Sequence, residues 1–209
     1  MTDAEITQAL AVIQTEEDAS LKNYRVAALL SELFRAQGAD PILVGGSAVE
    51  VYTEGRYVSG DVDLCFAGAV LPKPLQRAAV MARVGAQVLS SHKFVLAGVY
   101  VDLLGPVETG ARTPFQQIGP VKLIPLEDLV AERVFVAYAF PAYDAGREAV
   151  AKALLQVALH GGLALDQAEL RRLAQVDYGV GAHLERLLQE LATPSSSATP
   201  PTLPPPRSR

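Results

Sequence analysis

The sequence is poor in several things that would otherwise decide its chemistry. It has one cysteine, Cys65, which excludes an intrachain disulfide and any cysteine-cluster metal site. Cys65 lies in an apolar stretch and is expected to be buried as a small hydrophobe. No apolar run approaches the ~18 residues a membrane span needs. Basic residues are not in excess: the formal net charge is -5. Residues 1–126 hold ten Lys and Arg against thirteen Asp and Glu, and residues 127–209 hold eight against ten. Neither half is a basic platform for a long duplex. The three histidines, His92, His160 and His183, have no metal-ligand spacing. There is no Gly-Lys-Ser/Thr of a Walker loop, no Gly-x-Ser-x-Gly elbow and no His-Glu-x-x-His. The start, MTDAEITQAL, is acidic and lacks the form of a secretory signal, so a cytoplasmic location is the expectation.

What is present reads as a globular α/β chain. Half of the residues are hydrophobic and 20% are charged. Helices are expected over 3–14, capped by Thr2 or Asp3, and over 18–37, where Leu21, Tyr24, Ala27, Ala28, Leu30 and Phe34 repeat at helical spacing. Ile42-Leu43-Val44 is a short buried strand. Residues 47–54 suit a helix begun by Ser47, although their β-branched content equally suits a strand. The run from Asp61 to Phe66 alternates acidic and apolar residues, a strand with one wet face. A helix is expected over 73–88, two strands within 92–104 joined near Ala97-Gly98, loop over 105–119, a strand over 121–124, and a helix after Pro125. Helical periodicity continues in 144–160, 166–175 and 179–191. Residues 193–209 hold six prolines and are expected to be a disordered tail. The division expected is an α/β core over 1–125, a helical region over 126–192, and the tail.

Three carboxylates stand out. Asp61 and Asp63 are two apart on a strand and so project from one face. Two like charges side by side are costly unless a cation neutralises them, and a hard cation such as Mg²⁺ suits oxygen ligands. Asp102 sits inside the apolar strand VYVDLL, where an unpaired carboxylate is expensive. If the two strands are neighbours, all three converge. Upstream, the strand 42–44 runs into Gly45-Gly46-Ser47, fourteen residues before Asp61. Two glycines permit a tight turn and close backbone approach. The following amides and the Ser47 hydroxyl can donate to phosphate oxygens. Arg56 and Arg133 are further candidates for phosphate contact. Lys93 and Lys122 flank strands, and Tyr52, Tyr57 and Tyr100 have faces on which a base can stack.

In that order of motifs, ILVGGSAVEVYTEGRYVSGDVDLCF resembles the nucleotidyltransferase superfamily, with Gly-Gly-Ser, then Asp-x-Asp, then a later strand carboxylate at Asp102. In closer detail it looks like small prokaryotic members, AbiEii-toxin-like or stand-alone. The resemblance runs over about residues 40–160, through GVYVDLLGPVETG and PLEDLVAERVFVAYAF. It implies a mixed, twisted sheet with flanking helices. It also implies Mg²⁺-dependent transfer of a nucleotidyl group from ATP or another NTP to a hydroxyl, with Asp61, Asp63 and Asp102 on metal and Gly46 and Ser47 on phosphates. The acceptor would be tRNA, a protein or a small molecule, and an antitoxin partner is implied for the toxin-like members. Where many toxin-class members carry a lysine after the core, this chain has Glu132-Arg133. The rival readings are a nucleotide-binding or partner-binding module without turnover, and a hydrolase using the same metals.

Overall fold

The computed structural model describes residues 1–139 and 141–192. The expected tail over 193–209 lies outside them. The helices are α1 Asp3–Thr15, α2 Ala19–Arg35, α3 Gly45–Tyr52, α4 Pro74–Arg83, α5 Leu126–Tyr138, α6 Ala145–His160, α7 Gln167–Val176 and α8 Gly181–Ala192. The strands are β1 Asp40–Leu43, β2 Asp61–Ala67, β3 Gln87–Val88, β4 Lys93–Leu96, β5 Val99–Pro106, β6 Gln116–Ile118 and β7 Val121–Leu123.

Local chemistry explains most boundaries. Thr2 and Glu5 form a reciprocal cap at the start of α1, and Asp18, Asp144 and Asp166 cap α2, α6 and α7 by accepting from first-turn amides. Pro74 opens α4, where its missing N–H is no loss. The helix expected over 73–88 stops at Arg83, because Gly85 turns left-handed at φ +68 and releases Gln87 and Val88 into a strand. Ala97 and Gly98, at φ +51 and +86, make the tight turn between β4 and β5. The loop expected over 105–119 is shorter than that. β5 runs on to Pro106, and Gln116–Ile118 pairs with β7 as an edge strand.

The strands form one mixed sheet in the order β3-β4-β5-β2-β1-β7-β6. β2 is central, antiparallel to β1 and parallel to β5. Its alternation sends Val62, Leu64 and Phe66 into the core and Asp61, Asp63 and Cys65 to the other face. On the core side Phe66 meets Phe34 of α2 edge-on, with ring centroids 5.1 Å apart. Arg77 of α4 lies over the same ring and donates to the Leu103 carbonyl at 2.7 Å. α5 packs on α6, α7 and α8, and the C-terminal helical region meets the sheet layer where α3 touches α5 and α6. No described helix is long and apolar enough to cross a membrane.

Segment 47–54, open to helix or strand by propensity, is a helix that begins two residues earlier than Ser47. Burial decides it: Ala48, Val49 and Tyr52 all face the core, and the Tyr52 hydroxyl donates to the Ile124 carbonyl at 2.8 Å.

Candidate metal and phosphate site

The site is built on register. Asp63 of β2 stands opposite Asp102 of β5, and Asp102 stands opposite Lys93 of β4. Asp61 lies two residues before Asp63 on the same face. Asp61, Asp63 and Asp102 each offer a carboxylate oxygen, and the three oxygens all lie within 4.8 Å of one another. Such crowding of negative charge needs compensation. Part of it comes from Lys93, whose Nζ lies 3.1 Å from Asp102 Oδ2, and part from Ser59, whose hydroxyl donates to Asp61 Oδ1 at 3.3 Å. An oxygen-only donor set of this charge fits a hard divalent cation.

The glycines of the turn are required by contact. Gly45 has φ +63, and a Cβ there would lie 2.7 Å from Asp63 Oδ2. A Cβ on Gly46 would lie 2.8 Å from Ser59 Oγ and 3.3 Å from the Tyr57 hydroxyl. The start of α3 therefore presses directly on the Asp63 carboxylate and on the Ser59 hydroxyl. Its first intrahelical bond runs from the Ala48 amide to the Val44 carbonyl, so the helix itself makes no use of the amides of Gly45, Gly46 and Ser47. The Ser47 hydroxyl has a different task from the phosphate donation expected of it. It is buried, donates to the Val44 carbonyl at 2.9 Å and accepts from the Asp63 amide at 3.1 Å. Ser47 thus ties α3 to β2, which leaves its amide as the group on offer.

Arg133, on α5, is 18% exposed and pairs with its neighbour Glu132. It is close enough to Tyr57 to act on that phenol. Burial pushes the Tyr57 hydroxyl pKa up, Asp61, Glu50 and Asp63 push in the same direction, and Arg133 opposes them. Arg56 is exposed in the turn after α3. Lys122 pairs with Asp40 at 2.7 Å, away from these groups. Tyr100 is exposed on the Asp102 face of β5, while Tyr52 is core. Cys65 is half-buried instead of fully buried, next along the triad's face, and burial followed by the Asp63 charge raises its thiol to about 11. His92 and His160 are exposed, and His183 stacks on Tyr138 with centroids 4.3 Å apart.

Sequence reasoning misses the supports of this site. Glu50 of α3 is 2% exposed, and its Oε2 accepts from Asn23 Nδ2 at 3.0 Å and from the Ser59 amide at 3.1 Å. Asn23 also donates to the Ser59 carbonyl at 3.2 Å. This clamp fixes Ser59, and Ser59 fixes Asp61. The one signal for it is a glutamate within the apolar run SAVEVY.

No protein family's sequence profile matches the chain, and no curated protein matches it in sequence. Solved structures do match. An antigenic nucleotidyltransferase-like protein from Paracoccidioides brasiliensis superposes with a TM-score of 0.59 at 14% identity, over 84% of this chain and 89% of that one. The fold is nucleotidyltransferase-like. The antibiotic-resistance factor ANT(2'')-Ia, in its solution structure, agrees, with a TM-score of 0.54 at 12% identity over 82% of this chain and 99% of that one. A nucleotidyltransferase-like sheet therefore carries a cluster of three acids consistent with a catalytic metal site.

Proposed function

We propose that the protein transfers a nucleotidyl group from a Mg²⁺-bound nucleoside triphosphate to an acceptor hydroxyl, releasing pyrophosphate. The observation that carries this reading is the convergence of Asp61, Asp63 and Asp102 within 4.8 Å, with Gly45 of α3 pressed against Asp63. Asp61, Asp63 and Asp102 would hold the Mg²⁺, which supplies Lewis-acid stabilisation of charge on phosphate oxygens. The amides of Gly45, Gly46 and Ser47 face the triphosphate from a helix start, where donors and dipole both favour anions. Lys93 and Arg133 add positive charge near the leaving group. The acceptor oxygen attacks the α-phosphorus, the new P–O bond forms, and the α–β anhydride bond breaks. The hydroxyl proton passes to Asp102, which lies beside the Asp61 and Asp63 pair on the neighbouring strand.

The acidic balance of the chain favours a compact acceptor over a long duplex. The finer reading is a small stand-alone prokaryotic enzyme of the AbiEii-toxin-like kind, acting in the cytoplasm with an antitoxin partner. It rests on the motif order over residues 45–102, while Glu132-Arg133 stands where many toxin-class members carry a lysine. Growth arrest on expression, relieved by a neighbouring gene product, is its test; unaffected growth would count against it. The transfer reading is tested with α-³²P-labelled NTPs, Mg²⁺ and total RNA, lysate or small-molecule pools. Label retained on an acceptor and lost with Asp63→Asn is the expected result. Release of labelled monophosphate would establish hydrolysis instead, and binding with neither product would establish a module without turnover.

A further inference from the structure

A second concavity lies away from the triad, at the C-terminal end of α3. It has a volume of about 620 Å³ and is walled by the first turns of α2, the end of α3 with the turn beyond it, Ile118 of β6 and Leu163. Its lining includes three carboxylates, Asp18, Glu50 and Glu54, and no Lys, Arg or His. Glu50 is the decisive one. Although its side chain is 2% exposed, Oε1 has no hydrogen-bond partner among the described residues, while Oε2 serves Asn23 and Ser59. A buried carboxylate oxygen left in that state keeps its full desolvation penalty. Glu54 is held at φ +52, a conformation non-glycine residues rarely keep, which fixes where its carboxylate leaves the chain. The phenols that line the pocket have no proton to offer it: Tyr24 donates to the Ile118 carbonyl at 3.1 Å and Tyr52 to the Ile124 carbonyl at 2.8 Å. The remaining wall is apolar, with Leu21, Val51, Val58, Ile118 and Leu163. The Ser20 hydroxyl, also in the lining, bears on the Glu50 carboxyl, so the pocket sets three carboxylates and a hydrophobic wall against a single neutral side-chain donor that is not already engaged by a carbonyl.

We propose that this pocket is a binding site for a small organic amine, its ammonium on Glu50 with Asp18 and Glu54 around it, and its hydrocarbon part on Leu21, Val58 and Ile118. An ammonium supplies the donors and the charge the lining lacks, and an apolar body is wetted poorly by water and well by that wall. Neither the metal triad nor the turn at 45–47 takes part in binding here. The site stands whether or not the chain transfers nucleotides.

The test uses the full chain and phenethylamine as probe, with phenethyl alcohol as its uncharged match, followed by amide NMR shifts at Ser20, Glu54 and Val58. Saturable shifts with the amine are expected, with the alcohol at least about tenfold weaker, the factor that one charge-assisted hydrogen bond supplies. Glu50→Gln, which keeps an acceptor for Asn23 and Ser59, is expected to weaken the amine about tenfold. Val58→Trp, which fills the pocket and leaves its carboxylates in the sequence, is expected to abolish binding. Shifts that do not saturate, equal binding of amine and alcohol, or amine binding unchanged in both variants would overturn the proposal. None of these readouts depends on nucleotidyl transfer.

Discussion

Replacing Gly45 by Ala puts two separate penalties on one residue, and a second glycine separates them. At φ +63 an L side chain costs about 1–2 kcal/mol by sterics with its own backbone. In addition, the new Cβ would sit 2.7 Å from Asp63 Oδ2, well inside contact distance, so the carboxylate has to move. Gly38 has φ +81, and a Cβ there would meet nothing within 4 Å, so Gly38→Ala carries the first penalty alone. Gly38→Ala should lose about 1–2 kcal/mol in urea unfolding, or about 2–8 °C in melting temperature for a chain of this size, and Gly45→Ala should lose at least as much. Only Gly45→Ala should lose transfer, by about 100-fold, since misplacing a positioning group by even an ångström has that effect. The assay is retention of α-³²P label on the acceptor, run beside the unfolding curves. Transfer by Gly45→Ala equal to that of Gly38→Ala would refute the claim that the glycine exists to make room for Asp63.

Lys93→Met removes the ammonium from Asp102 and leaves the triad's repulsion less compensated. The partly exposed pair is worth at most about 1 kcal/mol, so the metal-free variant should melt slightly earlier, while added Mg²⁺ should raise its melting temperature by more than it raises the wild type's. An equal Mg²⁺ response in both would show that Lys93 and the cation do not share Asp102. Burial holds the Glu50 carboxyl above its ordinary value of 4.5, against the opposing hydrogen bonds of Asn23 and Ser59. Its contribution to stability is then fully present below the unfolded value and is lost as pH rises through the folded one. Glu50→Gln removes that titration, so wild-type stability minus variant stability should fall as pH is raised from about 4 toward neutrality, measured by urea unfolding at a series of pH values. A difference that stays flat would contradict it.

The parts of this site that depend on local pattern are legible in the sequence. Period-two spacing puts Asp61 and Asp63 on one face, and Gly45-Gly46 marks a turn with no room for side chains. Asp102 is identifiable as an anomaly, an acid in an apolar strand. Its partnership with Asp63 requires only that the two strands be adjacent, and the parallel pairing of β2 with β5 supplies that. What is not legible depends on distant parts of the chain. Glu50 meets Asn23, 27 residues away, and no spacing rule signals it. Ser47 resembles a phosphate donor in the sequence because its bond to the Asp63 amide forms only after β2 lies against α3. The stretch 107–115 reads as loop by composition, yet Thr113 donates to Glu127 at 2.8 Å and the Arg112 amide to Glu169 at 2.7 Å. Those two carboxylates, on α5 and α7, anchor it to the helical region. Pattern alone overextends α4, since a lone glycine is tolerated within a helical repeat, whereas the left-handed φ of Gly85 ends the helix.

The central claim is that three carboxylates from two strands jointly hold a divalent cation, and direct titration with Mn²⁺ followed by electron paramagnetic resonance tests it without any substrate. Wild-type protein should take up Mn²⁺, with Asp63→Asn and Asp102→Asn each weakening uptake by about tenfold or more. Undiminished Mn²⁺ uptake by a chain carrying Asn at positions 61, 63 and 102 together would contradict it.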